Sequence, residues 1–384
     1  MTPWSPLHGW SLLLAAGGGA VAGWIVSRVV DGLVEPRPGR TGRDGRLGTA
    51  AFVAAFAVSA AALWWWEGVA HGQLPVAIAG VELPPSALAW RWGGHLVFLA
   101  FLAAATWVDL RDRVIPDAIT FPGVLVGLAW AGLRPGSLLP VAREVPRSFA
   151  APLVEADVLG LCGPLGVDPL PAWLGAAPVM TGFAAAAAMF VGWWLGCTAP
   201  AEADAAGRRP FDPRLPVLAA GLAGIGAAWW NGGDHWPALL SSLFGLVAGV
   251  AIVWATRIGA SRALGREAVG FGDVTLMAVI GAWLGWQAVV LACCLGVLVG
   301  LAHGLVLYSL ARDNELPFGP SLCAGALLVI VGWRPLWGWF GPAFERPGEI
   351  AAVVTAVIVL TALTLAAWWR LRGGTERITH GPQA

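Results

Sequence analysis

The sequence predicts an all-α protein, a polytopic transmembrane helical bundle of about eleven membrane helices. Three observations carry this expectation. The 384-residue chain is 58% hydrophobic and only 12% charged, against roughly 25% charged residues in an ordinary soluble domain, and its mean hydropathy is +0.71. Apolar runs near the roughly 20 residues that cross a bilayer recur from end to end. The basic residues, 23 Arg and no Lys against 23 acids, gather on alternate loops. A water-soluble globule is excluded, and zero net charge leaves no basic field for nucleic acid.

The first run, Ser11 to Val30, lacks the basic flank of a signal peptide and is nearly long enough to span, so it reads as a retained first helix. The next runs are Thr49 to Trp66, Trp90 to Asp109, Ile119 to Leu133, Val179 to Cys197 and Leu215 to Trp230. Then follow Ala238 to Thr256, Asp273 to Leu284, Trp286 to Leu310, Pro320 to Val331 and Ile350 to Trp368. With the first loop in the cytoplasm, only Arg91, Arg134, Arg143, Arg147, Arg334 and Arg346 of the 23 Arg fall outside, the bias of a positive-inside topology. The N-terminus is then outside and the C-terminus cytoplasmic.

Trp clusters at Trp64 to Trp66, Trp193 with Trp194, Trp229 with Trp230, and Trp333 to Trp339 stand at helix ends and read as interfacial belts. Five Cys form no CxxC pair and no even ladder, so neither zinc nor a disulfide is indicated. His303 lies within a span, and His71, His95 and His235 lie near outer ends; without a spaced partner set each reads as structural rather than as a metal ligand. Six regions follow: N-terminal membrane helices with a short Cys-free loop (1–95), a first-acid region (96–133), and an outer insert rich in Pro (134–178). Connecting helices (179–256), a second-acid region (257–333) and a C-terminal helix with its tail (334–384) complete the chain.

Acids near membrane depth are expensive, which makes them functional candidates. Asp109 closes the run Leu96 to Val108, and Asp273 ends Gly270-Phe271-Gly272-Asp273 before Val274 to Leu284. Four predicted helices separate them. That number is even, so both face the cytoplasmic boundary and can meet. Two adjacent carboxyls do not both ionise cheaply, and one protonated with one charged is the arrangement of aspartic peptidases. Gly270 and Gly272 would let backbone approach a substrate backbone. The plainer alternatives are that Asp273 is an N-cap and that Asp109 pairs with Arg111 or Arg113. Asp117, after Pro116, reads as the cap of the following helix. An ion-coupled transporter remains an alternative, although it calls for acids deep within spans and for repeats.

Asp109 with Ile115-Pro116-Asp117-Ala118-Ile119-Thr120-Phe121-Pro122, then Gly270 to Ala278 leading into Gly281-Ala282-Trp283-Leu284-Gly285, and later Leu316-Pro317-Phe318-Gly319-Pro320, resembles the type IV prepilin peptidases. The resemblance is clearest over Leu96 to Leu133 and Arg257 to Ile330. It implies an aspartic endopeptidase of the bacterial inner membrane that clips the leader from prepilin-like or pseudopilin substrates at the cytoplasmic boundary, without a cofactor. The implied catalytic pair is Asp109 and Asp273, with motif support from Gly270, Gly272, Pro116, Pro317 and Gly319. Two departures stand out. The loop Asp31 to Gly48 lacks the Cys-rich segment that many members carry, which argues against methyltransfer, and Thr275 stands where a Lys is common. They leave open a catalytically silent relative.

Overall fold

The structure is a computed structural model and describes residues 6–34, 42–74, 85–142, 154–155, 174, 179–197, 214–264, 269–311, 318–344, 348–359 and 363. Its elements in order are α1 (Pro6–Leu33), α2 (Gly42–Trp64), α3 (Pro85–Asp112), α4 (Asp117–Leu133), α5 (Met180–Cys197) and α6 (Arg214–Asn231). There follow α7 (His235–Leu264), α8 (Phe271–Leu284), α9 (Trp286–Ala311), α10 (Gly319–Phe344) and α11 (Gly348–Val359). Seven of these are long and apolar enough to cross a membrane, while α4, α6, α8 and α11 are shorter apolar helices. Eleven apolar helices agree with the expected bundle. Between α4 and α5 a two-residue antiparallel ladder pairs Val141 with Glu155 and Ala142 with Val154, an element without a sequence signal. The remainder of the 134–178 insert, apart from 134–140, Leu174 and the segment's edges, lies outside the described residues, as does most of the run beyond Val359.

Helix ends follow local backbone chemistry. The α3 helix stops where Arg113 turns left-handed at φ 56° and its N–H returns to the Asp109 carbonyl at 2.9 Å. Pro116 then holds extended backbone, φ −75° and ψ 143°, and is the N-cap of α4. Asp117 is therefore the first helical residue rather than the cap, and no side-chain cap bond closes this terminus. Its charge still suits the positive end of the helix. At the end of α8, Gly285 at φ 81° breaks the helix and lets α9 begin at once.

The centre of the bundle is α8. Every residue from Asp273 to Leu284 is buried, which explains how a 14-residue helix of about 21 Å sits in a bilayer core of about 30 Å. Neighbouring helices, not lipid, surround it. Contact is close because α7 offers Gly245 and Gly249 against the backbone of Gly281 and Met277, the small-residue packing expected where lipid supplies no hydrophobic drive. From the other side, Trp283 reaches across to α4 and donates its Nε1 to the Gly123 carbonyl at 2.9 Å.

The expected Trp belts are half right. Trp230 and Trp339 are 78% and 81% exposed, as interfacial rings would be. Trp193 and Trp333 instead are buried, and Trp333 donates to the Pro140 carbonyl at 2.7 Å while Trp236 donates to Leu174 at 2.8 Å. An indole whose N–H finds a backbone carbonyl is as well placed in a core as at a headgroup, and here it ties the insert's edges to the bundle.

At the end of the bundle where α2 passes to α3, a π-helical turn, Trp65–Val69, points Glu67 inward. His95 Nδ1 lies 2.6 Å from Glu67 Oε1, and Gln73 Nε2 donates to the same oxygen at 2.9 Å and to the Ile330 carbonyl at 3.2 Å. Buried Arg91 donates twice to the Gly136 carbonyl, at 3.2 and 3.0 Å, within range of the Glu67 charge. This hub joins α2, α3, the α4 exit and α10. His95 is structural as expected, and so is His235, whose Nδ1 meets the Gly132 carbonyl at 2.7 Å.

Candidate active site

Three helix ends converge opposite that hub: the C-terminal turn of α3 carrying Asp109, and the N-termini of α8 and α10. Asp109 and Asp273 are both buried, at 6% and 8% exposure, and the charge of Asp109 acts on Asp273. Acids 164 positions apart in the chain thus share one site. Asp109 leads into a left-handed turn at Arg113 and the short extended link to Pro116, which folds α4 back beside α3. Asp273 is the third residue of α8.

Each carboxylate is met by a backbone donor. The Gly270 N–H reaches Asp273, and the Gly319 N–H reaches Asp109. The first contact is the reach-back of an acidic third helical residue to its own N-cap; the N-cap is Gly270, in extended backbone at φ −63° and ψ 148°, so Asp273 sits three positions beyond the cap rather than at it. Asp109 Oδ2 is buried with no hydrogen-bond partner among the described residues, which leaves one carboxylate oxygen of the pair uncommitted.

The glycines divide by what surrounds them. A Cβ on Gly319 would come within 2.6 Å of Asp109 Oδ2 and 2.9 Å of Ile115 Cδ1. On Gly272 it would meet Ile115 Cβ at 3.0 Å, whereas on Gly270 it would meet Asp273 Oδ2 at an ordinary 3.4 Å. Gly272 therefore lets the first turn of α8 pack closely against the Ile115 side chain. Pro116 shapes the α3–α4 corner, one residue from the Ile115 side chain that these glycines touch. Pro317 lies outside the described residues.

Sequence reasoning missed three participants. Ile115 fills the space between the α8 and α10 N-termini; Thr106, one turn before Asp109, bonds the Cys323 side chain, which feels both acids. Thr106 and Cys323 stand three and four positions from Asp109 and Gly319, the helical spacing that would have found them. Thr275, the departure noted above, turns its hydroxyl onto the Gly272 carbonyl at 3.0 Å. Among the described residues no group of three or more His, Cys, Asp or Glu side chains offers a metal site.

Beside the pair runs an apolar groove of about 610 Å³ between α3 and α10, with Phe52 of α2 at its edge. Two carboxyls held together can take a proton from water with one member and give one to a leaving group with the other.

Comparisons with known proteins bear on the segment of the second acid. The sequence profile of the type IV leader peptidase family matches residues 210–305, a segment that holds Asp273 and not Asp109. The chain is similar to a prepilin leader peptidase/N-methyltransferase of Aeromonas hydrophila, 32% identical over 45% of this chain and 57% of that protein. Proteins of the same name from Burkholderia pseudomallei and Pseudomonas aeruginosa are 32% and 34% identical, over 33% and 32% of this chain and 40% of each relative. The matches thus span about half the length of these relatives. No solved structure matches. The segment that carries GxGD is thus similar to the type IV leader peptidase family.

Proposed function

We propose that the protein is an aspartic endopeptidase that removes the leader from prepilin-like or pseudopilin substrates at the cytoplasmic boundary of the bacterial inner membrane. The observation that carries this reading is the meeting of Asp109 and Asp273 at one end of the bundle, where Asp109 Oδ2 has no hydrogen-bond partner among the described residues. The even number of helices between the acids agrees with it, as does the family of the GxGD segment.

The chemistry requires one carboxyl charged and the other neutral. The charged member takes a proton from water as the water oxygen attacks the amide carbon. The neutral member hydrogen-bonds the carbonyl oxygen through the transition state and then protonates the leaving nitrogen. An extended substrate stretch is needed, because a helical peptide bond is shielded by its own hydrogen bonds. The orientation with the N-terminus outside and the C-terminus inside follows from the Arg distribution and places both acids on the cytoplasmic side. Methyltransfer is not part of the proposal, since the loop Asp31 to Gly48 has no Cys.

The test is leader removal from a prepilin-like substrate by the full chain and by Asp109→Asn and Asp273→Asn. Each substitution keeps shape and removes the proton function, so each lowers the rate by about 10²–10⁴-fold. Unchanged processing in either variant refutes the pair. A transporter reading would instead leave processing absent in the native chain and show flux in liposomes.

A further inference from the structure

The backbone donors that meet the two carboxyls are not equally secured. Gly319 is the first residue of α10, and the peptide that carries its N–H has its carbonyl, that of Phe318, engaged by the N–H groups of Ser321 at 3.0 Å and Leu322 at 3.2 Å. The helix itself therefore fixes which way that peptide faces. Gly270 is placed differently. It is the N-cap of α8, so its N–H belongs to the Val269–Gly270 peptide, whose carbonyl lies one residue ahead of the helical ladder. Glycine adds freedom here, because a flip of that peptide would swing Gly270 from φ −63° into positive φ at little steric cost. Flipped, the same unit would turn a carbonyl toward Asp273 in place of a donor.

The restraint comes from α7. Arg257 lies about two turns before that helix ends at Leu264. Its Nε donates to the Val269 carbonyl at 3.0 Å, and its guanidinium carbon lies 5.4 Å from the centre of the Phe271 ring. The cation thus grips the residues on both sides of Gly270. One peptide unit stands between a guanidinium and a carboxyl: Arg257 holds its oxygen, and its N–H reaches Asp273. A hydrogen bond from a charged donor is stronger than a neutral one, and it polarises the amide so that the N–H on the far side donates more strongly.

We propose that Arg257 is the positioning residue of Asp273, acting through the Val269–Gly270 peptide to keep a backbone N–H on that carboxyl. The role rests on the peptidase reading and adds to it how the second acid is held. Arg262, exposed in the last turn of the same helix, separates this role from that of charge alone.

Two measurements on the full chain in proteoliposomes test it. The first is leader removal from a prepilin-like substrate. Arg257→Met keeps an apolar stem and loses donor and charge; kcat is expected to fall about 10- to 100-fold, the worth of a charged hydrogen bond, with KM within about twofold of native. Arg262→Met removes the same charge and is expected to stay within about twofold. Adding Gly270→Ala to Arg257→Met is expected to regain at least about threefold in kcat, because alanine resists the positive φ of the flipped peptide. A kcat for Arg257→Met within about threefold of native, an equal fall in Arg262→Met, or a double variant no better than Arg257→Met overturns the positioning role and leaves the peptidase reading standing.

The second measurement needs no turnover. In a chain with isotope-labelled glycine, the Gly270 amide signal is identified by its loss in Gly270→Ala. Its proton is expected downfield in the native chain, and in Arg257→Met it is expected to move upfield while the other glycine amides hold. A Gly270 signal that does not move overturns the proposal, and so does a general movement of the glycine signals, since Arg257 would then hold the fold rather than one peptide. A native chain that gives the expected shift and never cuts supports the positioning and refutes the peptidase reading.

Discussion

Gly319→Ala is the most discriminating single substitution at the proposed site. The added methyl lands 2.6 Å from Asp109 Oδ2 and 2.9 Å from Ile115 Cδ1. To restore an ordinary contact of 3.4 Å, the carboxylate and the α10 N-terminus must separate by about 0.8 Å. Neither retreats easily: Asp109 is in the last turn of α3, and Ile115 is wedged against Gly272. Overpacking of this kind costs about 1–3 kcal/mol in stability. Displacement near 1 Å at a reacting group costs about 10²-fold in rate, or close to 2.7 kcal/mol of barrier. The measurement is kcat for leader removal in proteoliposomes, beside thermal unfolding in detergent. The expected result is a drop of about 10² in kcat for a chain that still folds. Gly270→Ala is the internal control, because its methyl meets Asp273 Oδ2 at 3.4 Å and its backbone is extended; it should stay within about threefold of the native chain. Near-native activity in Gly319→Ala, or equal losses in both variants, would show that the backbone contact with Asp109 does not position the acid.

Two further outcomes follow from packing alone. Glu67→Ala strips the hub of its only carboxylate, leaving His95, Gln73 and Arg91 buried around an uncompensated gap. A loss of about 3–5 kcal/mol is expected from a broken buried charge cluster, read as a lowered Tm in detergent, and an unchanged Tm would show that the hub is not a stabilising element. Gly245→Ala drives a methyl into the Gly281 carbonyl across the α7–α8 contact, so folded yield should collapse, whereas Gly224→Ala on α6, with open space around it, should be tolerated; similar yields for the two would refute the close packing of α8.

The bundle was legible because its signals are one-dimensional. Apolar runs announce helices whatever their neighbours, and an even number of them between Asp109 and Asp273 places both acids at one end. The GxGD segment marked the second acid, and Gly319 was marked by its motif. What the sequence withheld were properties of surroundings. Gly270 and Gly272 read as equivalent, yet one faces open space at its own carboxylate and the other abuts Ile115. Trp333 read as interfacial because Trp at a helix end has two stable homes, and only the position of a carbonyl partner, here that of Pro140, decides between them. The Glu67 hub was silent because Gln73, Arg91 and His95 lie on different sides of a turn, with no common spacing. Thr106 and Cys323 were hidden in apolar runs, where small polar side chains look like filler.

The same geometry bears on the departure at Thr275. Two acids held together away from water need compensating positive charge, and in this chain no Lys exists to provide it. The fold provides it through backbone instead. Asp273 is the third residue of α8, and Asp109 faces the first residue of α10, so each carboxylate meets the unsatisfied N–H groups of a helix N-terminus, through Gly270 in one case and Gly319 in the other. Each such terminus carries a partial positive charge of about half a unit. A helix end also fixes its donors in place, which a flexible ammonium group does not, and preorganised donors lose nothing to rearrangement as charge moves during reaction. Thr275, freed from that task, spends its hydroxyl on the Gly272 carbonyl inside the first turn of α8, bracing the turn that holds Asp273. The absence of the common Lys is therefore compatible with a working pair, provided the two termini stay where Ile115 wedges them.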